Sequence, residues 1–329
     1  MSFHLYPFTF TPVYKNYLWG GKCLSQVYPD KKPPQGRCAE SWEISDREEG
    51  MSLVANGVLE GISLRELMQS NPVELVGTFC RSHDFPLLIK IIDAEKPLSV
   101  QVHPSEASAL KTGGEPKNEM WYFLGKTSAT IFCGLRDGVQ ELDFLNALKN
   151  KTIEQQLKLH TVYPDEAVYI SAGCVHAINE GNFLLEVQQN ANTTYRVYDW
   201  DRTDAEGNFR ELHLEKALQA IQWDSEQLER SIIIPSTVSK CSAYSIEHLL
   251  TTPYFIIERL LLRGTQSFIL TGETCHVLFV VDGKIHLQWS DGEAYYNAGM
   301  TFLIPANQKQ YILTGTAKLI RSSLSSPSC

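Results

Sequence analysis

No stretch of the 329-residue chain is apolar for long enough to span a membrane, and the opening MSFHLYPFTF lacks the basic start and small-residue cleavage site of a secretion signal. Both absences lead us to expect a cytoplasmic protein. Positive charge is scarce as well: 29 Lys and Arg stand against 38 Asp and Glu, a formal net charge of −9, with no basic cluster of the kind that holds nucleic acid. Cysteine pairs are missing. The eight cysteines (Cys23, Cys38, Cys80, Cys133, Cys174, Cys241, Cys275, Cys329) are scattered without a CxxC motif, so they read as free thiols, mostly small buried fillers. The remaining composition, 43% hydrophobic and 20% charged, is that of an ordinary globular protein, and the length allows two domains with cores.

Chemistry concentrates in two stretches, PLSVQVHPSEASALKTGGEPKNEMWYFLG at 97–125 and ISAGCVHAI at 170–178. Apolar and polar residues alternate from Leu98 to His103, the pattern of a strand with one apolar face, so Ser99, Gln101 and His103 share the other face. Pro104 ends that strand and a helix-prone SEASAL follows. A second strand opens with the carboxylate of Glu119 and closes at Gly125; a third runs Ala167–Ile170, turns at Ala172-Gly173 and resumes with His176. An amide oxygen, two imidazoles and a carboxylate from Gln101, His103, His176 and Glu119 form a suitable ligand set for zinc or another divalent transition metal. A single His at a strand end is ordinarily a hydrogen-bonded rim residue. Gln101 and His103 on one strand face ending at Pro104 strengthen the metal reading, and Glu119 and His176, each at the mouth of a strand-and-glycine unit, tip the balance to it. Cys174 falls by alternation on the same side as His176, but we read it as filler.

Elsewhere the chain reads as alternating strands and short helices. Residues 7–22 suit an edge strand and turn, 29–38 a loop, and 39–45 a strand with Glu40, Trp42 and Ile44 on one side and Trp42 in the core. Ser63 and Glu66 form a capping box, and Pro72 begins a second helical segment. FPLLIKIIDA at 85–94 is an apolar strand interrupted by Lys90, which either reaches a rim or faces an anionic ligand. Residues 141–160 read as helix with Leu142, Leu145 and Leu148 inward. In FLLEVQQN, Glu186, Gln188 and Asn190 alternate onto one face, which implies a wet cavity. Arg196 offers a planar fork for carboxylate or phosphate, or else pairs structurally with Asp199 or Asp201. HLEKALQAIQ at 213–222 is a helix, SEQLERS a linker, and everything from about 232 is β-like.

The late strands echo the early ones: VLFVVDG is similar to MWYFLG, and AGMTFLIPAN to AVYISAGCVH. In that alignment Glu119 falls on Val277 and His176 on Gln310, so the second copy has lost its ligands. We expect a mainly β protein of two cupin-like jelly-roll barrels with a few short helices packed on the first. Residues 1–230 form the domain with the site, and 231–329 a degenerate β domain without ligands.

FPLLIKIIDAEKPLSVQVHP (85–104), KNEMWYFL (117–124), SAGCVHAI (171–178) and TYRVYDWDR (194–202) together resemble the zinc-dependent class I mannose-6-phosphate isomerases of the cupin superfamily, in a short bacterial form. The resemblance covers roughly 7–210 closely and the C-terminal part loosely. It implies that Gln101, His103, Glu119 and His176 ligate one Zn²⁺, that Arg196 is the active-site arginine, and that Lys117 stands where the family has a candidate proton-transfer lysine. It further implies that Ser99, Lys90 and Glu186 line the substrate pocket. Ala191-Asn192 replaces the Ser-Asp of many relatives, and Ser171 and Cys174 replace Pro and Thr in the turn before His176.

The reaction so implied is interconversion of mannose 6-phosphate and fructose 6-phosphate through an enediolate, with Lys117, Glu186 or a metal-bound water as candidate base. Two other classes share some of these features. A non-haem iron oxygenase also uses two His and a carboxylate, although Gln101 would fill a position that oxygen chemistry needs open. A non-catalytic sugar-phosphate sensor would keep every ligand. The partner in each isomerase or sensor reading is a small sugar phosphate, with no nucleic acid and no membrane.

Overall fold

The computed structural model describes residues 3–204, 206–223 and 226–326, without the side chains of Gln227 and Leu228. Cys329 lies outside the described residues. No helix among them is long and apolar enough to cross a membrane.

The first part of the chain supplies strands β1 (Val13–Lys15), β2 (Glu40–Ile44), β3 (Leu87–Ala94), β4 (Val100–Val102), β5 (Glu119–Phe123), β6 (Ala129–Leu135), β7 (Leu157–Val162), β8 (Ala167–Ile170), β9 (His176–Ile178), β10 (Asn182–Gln189) and β11 (Tyr195–Tyr198). They form two sheets, ordered β1-β2-β3-β10-β5-β8 and β11-β4-β9-β6-β7. Every strand pairing is antiparallel. The sheets face one another across a core that includes Ile92, Trp121, Phe123, Ile131, Ile170, Ile178 and Leu184. This is the expected cupin-like arrangement, with the two sheets of the jelly roll open at their edges rather than joined into a closed barrel.

Strand β3 shows why the continuous apolar run was needed. Leu87, Ile89 and Ile91 enter one core while Ile92 enters the other, so both faces of the strand are covered. The first core also takes the helices Leu64–Ser70 and Pro72–Val76, the former capped by the Ser63–Glu66 box. On the far side of the five-stranded sheet, helices Glu141–Lys149 and Leu214–Ala220 cover Val100, Val102, Tyr195 and Val197.

The later chain contributes β12 (Ser236–Lys240), β13 (Tyr244–Thr251), β14 (Phe255–Ile269), β15 (His276–Trp289), β16 (Gly292–Asn297), β17 (Thr301–Ile304) and β18 (Gln310–Leu324), all in one sheet. Its Phe255, Ile257, Val277, Phe279 and Leu303 join the core that the six-stranded sheet begins. Leu260, Leu278, Phe302 and Leu319 build a separate core within this half. Even the N-terminus crosses over, with Phe8 bridged to Leu303. Val277 is buried and Gln310 exposed, and among the described residues this half holds no grouping of three potential ligands.

Four local expectations are corrected. The helix from Glu141 stops at Lys149, and Leu157–Val162 is a strand paired with β6. In that helix Phe144 and Ala147 face inward and Leu142 lies exposed. A bulge between Trp42 and Ile44 in β2 turns Ile44 toward the opposite core from Trp42. The segment read as a linker contains a short helix, Gln227–Ser231.

Candidate metal centre and its pocket

Gln101 and His103 leave β4 on the same side because the strand alternates, and Gln101 faces His176 of β9 directly in register. Glu119 begins β5 on the opposing sheet. All of His103, Glu119 and His176 are buried. Glu119 Oε2 lies 3.4 Å from His103 Nε2, and its Oε1 lies 3.6 Å from His176 Nε2. Ligand atoms on a tetrahedral zinc with bonds of about 2.1 Å are about 3.4 Å apart, so these separations suit one ion.

The backbone prepares the imidazoles for that role. His103 Nδ1 lies 2.9 Å from the Thr193 carbonyl, and His176 Nδ1 lies 2.9 Å from that of Cys174. A carbonyl only accepts, so each Nδ1 donates, and each Nε2 presents a lone pair to the centre. Burial and the Lys117 ammonium push His103 down to about 4, against the pull of Glu119. His176 is lowered too, chiefly by burial. Burial works to raise the Glu119 carboxyl, but Lys117 and the imidazoles outweigh it and hold the group well below the usual range. Among the described residues His103 Nε2 and Glu119 Oε1 nevertheless have no hydrogen-bond partner, and Glu119 Oε2 has only the Lys117 ammonium at 2.7 Å. Acceptor atoms converging in a buried site are what a divalent cation satisfies.

Gln101 stands beside these three with its terminal amide. Its Nε2 stands 3.3 Å from His176 Nε2, while Oε1 takes the Ser99 hydroxyl at 3.2 Å. A half-turn of the amide exchanges groups of nearly equal size, bringing the oxygen to the centre and leaving the NH₂ to donate to Ser99 Oγ.

A cavity of about 280 Å³ opens onto this cluster through Gln101 and Lys117, and Ser99, Lys90, Glu186 and Arg196 also line it. It sits at the small end of the range for ligand pockets. Lys90 is buried, with its Nζ 3.2 Å from Glu186 and 3.6 Å from Glu40. Burial lowers its pKa, yet Glu40 and Glu186 outweigh this and the net shift is upward. Lys90 therefore faces the pocket rather than a rim, stacked 5.3 Å over the Trp42 ring. Trp121 Nε1 donates to Glu186 at 3.0 Å. Lys117 Nζ lies 2.7 Å from Glu119 Oε2. A larger groove of about 840 Å³, lined by Arg81, Asp84, Glu106 and Tyr254 among others, contains none of the candidate ligands.

Residues 8–121 match the family model described as phosphomannose isomerase type I, catalytic domain, and 245–324 match a mannose-6-phosphate isomerase cupin domain. The chain is 33% identical to mannose-6-phosphate isomerase ManA of Bacillus subtilis, covering 97% of this chain and 99% of that one. The chain belongs to the type I phosphomannose isomerase family. A Streptococcus mutans mannose-6-phosphate isomerase is 34% identical over 75% of this chain and 82% of its own. The crystal structure of the B. subtilis mannose 6-phosphate isomerase superposes with a TM-score of 0.87 at 30% identity, over 97% of this chain and 99% of that one. An Archaeoglobus fulgidus structure at 22% identity shares the fold, with a TM-score of 0.77 over 97% and 98%.

Within this type I phosphomannose isomerase, Arg196 pairs with neither Asp199 nor Asp201. Its Nη1 donates to the Glu211 carbonyl at 2.7 Å, and its buried Nε has no hydrogen-bond partner among the described residues. Asp199 is taken instead by Arg202 and Arg210. Cys174 does not face the candidate ligands either: its Sγ lies 3.8 Å from Cys133 Sγ, and only its carbonyl serves the centre. The tight turn at 171–174 breaks the alternation that placed it beside His176. Two lining residues, Glu40 and Arg210, were not singled out in the sequence as site residues. Glu40 was legible as a carboxylate on the strand beside Lys90; Arg210 lies in an irregular loop that carries no periodic signal.

Proposed function

We propose that this protein interconverts mannose 6-phosphate and fructose 6-phosphate. Family membership together with one observation supports the reading: the side chains of His103, Glu119 and His176, with Gln101 beside them, converge on one buried point at the end of a polar pocket. Zn²⁺ is the proposed ion, since two imidazoles, a carboxylate and an amide oxygen suit it. A divalent cation held there supplies Lewis-acid stabilisation to oxygen atoms that gain negative charge. Residues 1–230 carry this site, and 231–329 buttress it through the shared core.

An aldose–ketose isomerisation moves a proton between C1 and C2 of the open-chain sugar by way of an enediolate. Arg196 faces Gln101 in the β11–β4 register, so its guanidinium stands at the reacting end and stabilises that developing charge. Lys117, with its amine at the pocket wall, and Glu186, held by Lys90 and Trp121, are the two side chains placed to hold or move the proton. Ser99 orients the Gln101 amide. The deciding experiment is a coupled assay of mannose 6-phosphate isomerisation before chelation, after chelation and after zinc is restored. Activity that vanishes and returns supports the reading; a well-folded, zinc-loaded protein without turnover ends it.

A further inference from the structure

Asn118 stands between two residues of the proposed site, Lys117 and Glu119, and points away from it. Lys117 Nζ and Glu119 Oε2 meet at 2.7 Å on the pocket side, so alternation turns the residue between them to the other side of β5. There Asn118 is buried, with both polar atoms of its side chain engaged. We propose that Asn118 is a positioning residue: it holds the segment bearing Lys117 and Glu119 against the turn that orients His176, and so sets the spacing of the metal centre. Its effect on turnover rests on the isomerase reading, whereas its effect on metal binding rests on the ligand cluster alone.

Oδ1 accepts from the Ala172 backbone N–H at 2.9 Å and from the Tyr169 hydroxyl at 2.8 Å. Ala172 belongs to the turn in which the Gly173 N–H donates to the His103 carbonyl at 2.8 Å and the Cys174 carbonyl receives His176 Nδ1. On its other side Asn118 donates from Nδ2 to Gln189 Oε1 at 2.8 Å, and the same oxygen accepts the Asn118 backbone N–H at 3.0 Å. Backbone N–H groups only donate, so the orientation of both amides is fixed.

One short side chain thus ties together residues 117–119, the turn at 171–174 and the end of β10, the strand that carries Glu186. The task needs an acceptor and a donor on a single planar group: Asp lacks the donor, and an apolar residue lacks both. The spacing at stake is fine. Glu119 oxygens stand 3.4 Å from His103 Nε2 and 3.6 Å from His176 Nε2, and a misplacement of about 1 Å in such a constellation costs about 10²-fold in rate.

The test measures zinc affinity by competition with a chromophoric chelator, and kcat and KM for mannose 6-phosphate, in wild type, Asn118→Leu, Gln189→Ala and Gln189→Glu. Asn182→Leu is the control, because Asn182 is also buried but bonds to the Thr130 and Asn179 carbonyls and does not line the pocket. Asn118→Leu weakens zinc binding by about 10- to 100-fold, the range for losing a residue that orients metal ligands, and lowers kcat by a similar factor while KM changes much less. Gln189→Ala weakens zinc binding to a smaller extent. Gln189→Glu, which still accepts both N–H groups, restores it. Asn182→Leu lowers the melting temperature and leaves zinc affinity and kcat at the wild-type level. Wild-type zinc affinity in Asn118→Leu overturns the proposal, as does an equal loss of zinc affinity in Asn182→Leu. Where Asn118→Leu fails to fold, equal zinc affinities in Gln189→Ala and Gln189→Glu overturn it. Zinc affinity needs no turnover, so a wild type that binds zinc without isomerising the sugar ends the isomerase reading, while weakened zinc binding in Asn118→Leu upholds this one.

Discussion

Arg196 and Gln101 occupy facing positions on β11 and β4, which places a pocket guanidinium that has no carboxylate partner among the described residues beside a proposed metal ligand. Burial and the neighbouring Arg210 lower its pKa. Its backbone N–H is anchored by His213 Nδ1 at 3.2 Å and its Nη1 by the Glu211 carbonyl, so the group is held in place without losing its charge to a counter-ion. We predict that Arg196→Ala keeps its zinc while turnover falls by roughly 10²-fold or more, the scale of removing one electrostatic stabiliser. Metal analysis alongside steady-state kinetics checks this. Near-normal turnover removes Arg196 from the mechanism.

Lys90 is a structural prediction as much as a functional one. With Glu40 and Glu186 it forms a buried charge cluster in the middle of β3, where every residue is covered. Lys90→Met leaves two carboxylates facing each other with no cation, and removing one partner of a buried pair costs about 3–5 kcal/mol. Adding Glu186→Gln removes part of the excess charge and should recover part of that loss. Denaturant unfolding of both variants measures it. A Lys90→Met protein as stable as wild type shows that the two carboxylates do not depend on this cation.

Much of this site was legible because strands alternate. Ser99, Gln101 and His103 share a face for that reason, as do Lys90 on β3 and Glu186 on β10, which stand opposite each other. What was not legible depended on contacts between distant segments. Leu157–Val162 is rich in Leu and Lys and suits a helix locally, yet pairing with β6 makes it a strand. Cys174 serves through its carbonyl, which no side-chain pattern reveals. Arg210 gains its meaning only when its loop folds back on Asp199.

The histidines give a pH prediction for the metal-free protein. His103 is lowered from 6.5 to about 4, first by burial and then by Lys117, and His176 moves the same way. A depressed folded-state value means the unfolded chain binds the proton more readily. The stability tied to neutral His103 is therefore fully present above about pH 6.5 and is lost as pH falls toward 4, on the order of 3 kcal/mol. Melting temperatures of metal-free wild type and His103→Gln between pH 7.5 and roughly 4 test it. The variant should lose less over that interval; parallel curves show that His103 does not titrate in this way.

Zinc itself should stabilise the fold, because among the described residues the buried Nε2 of His103 and Oε1 of Glu119 have no hydrogen-bond partner. An ion that binds only the native state adds about 4 kcal/mol when present at roughly 1,000 times its dissociation constant. For a chain of this size that corresponds to a rise of about 6 °C in melting temperature. Chelated protein should therefore melt lower by that amount and recover on addition of zinc. His103→Ala removes one ligand and should show no shift. If chelated and zinc-loaded wild type melt together, or if His103→Ala responds like wild type, the four side chains do not share an ion, whatever the likeness to relatives.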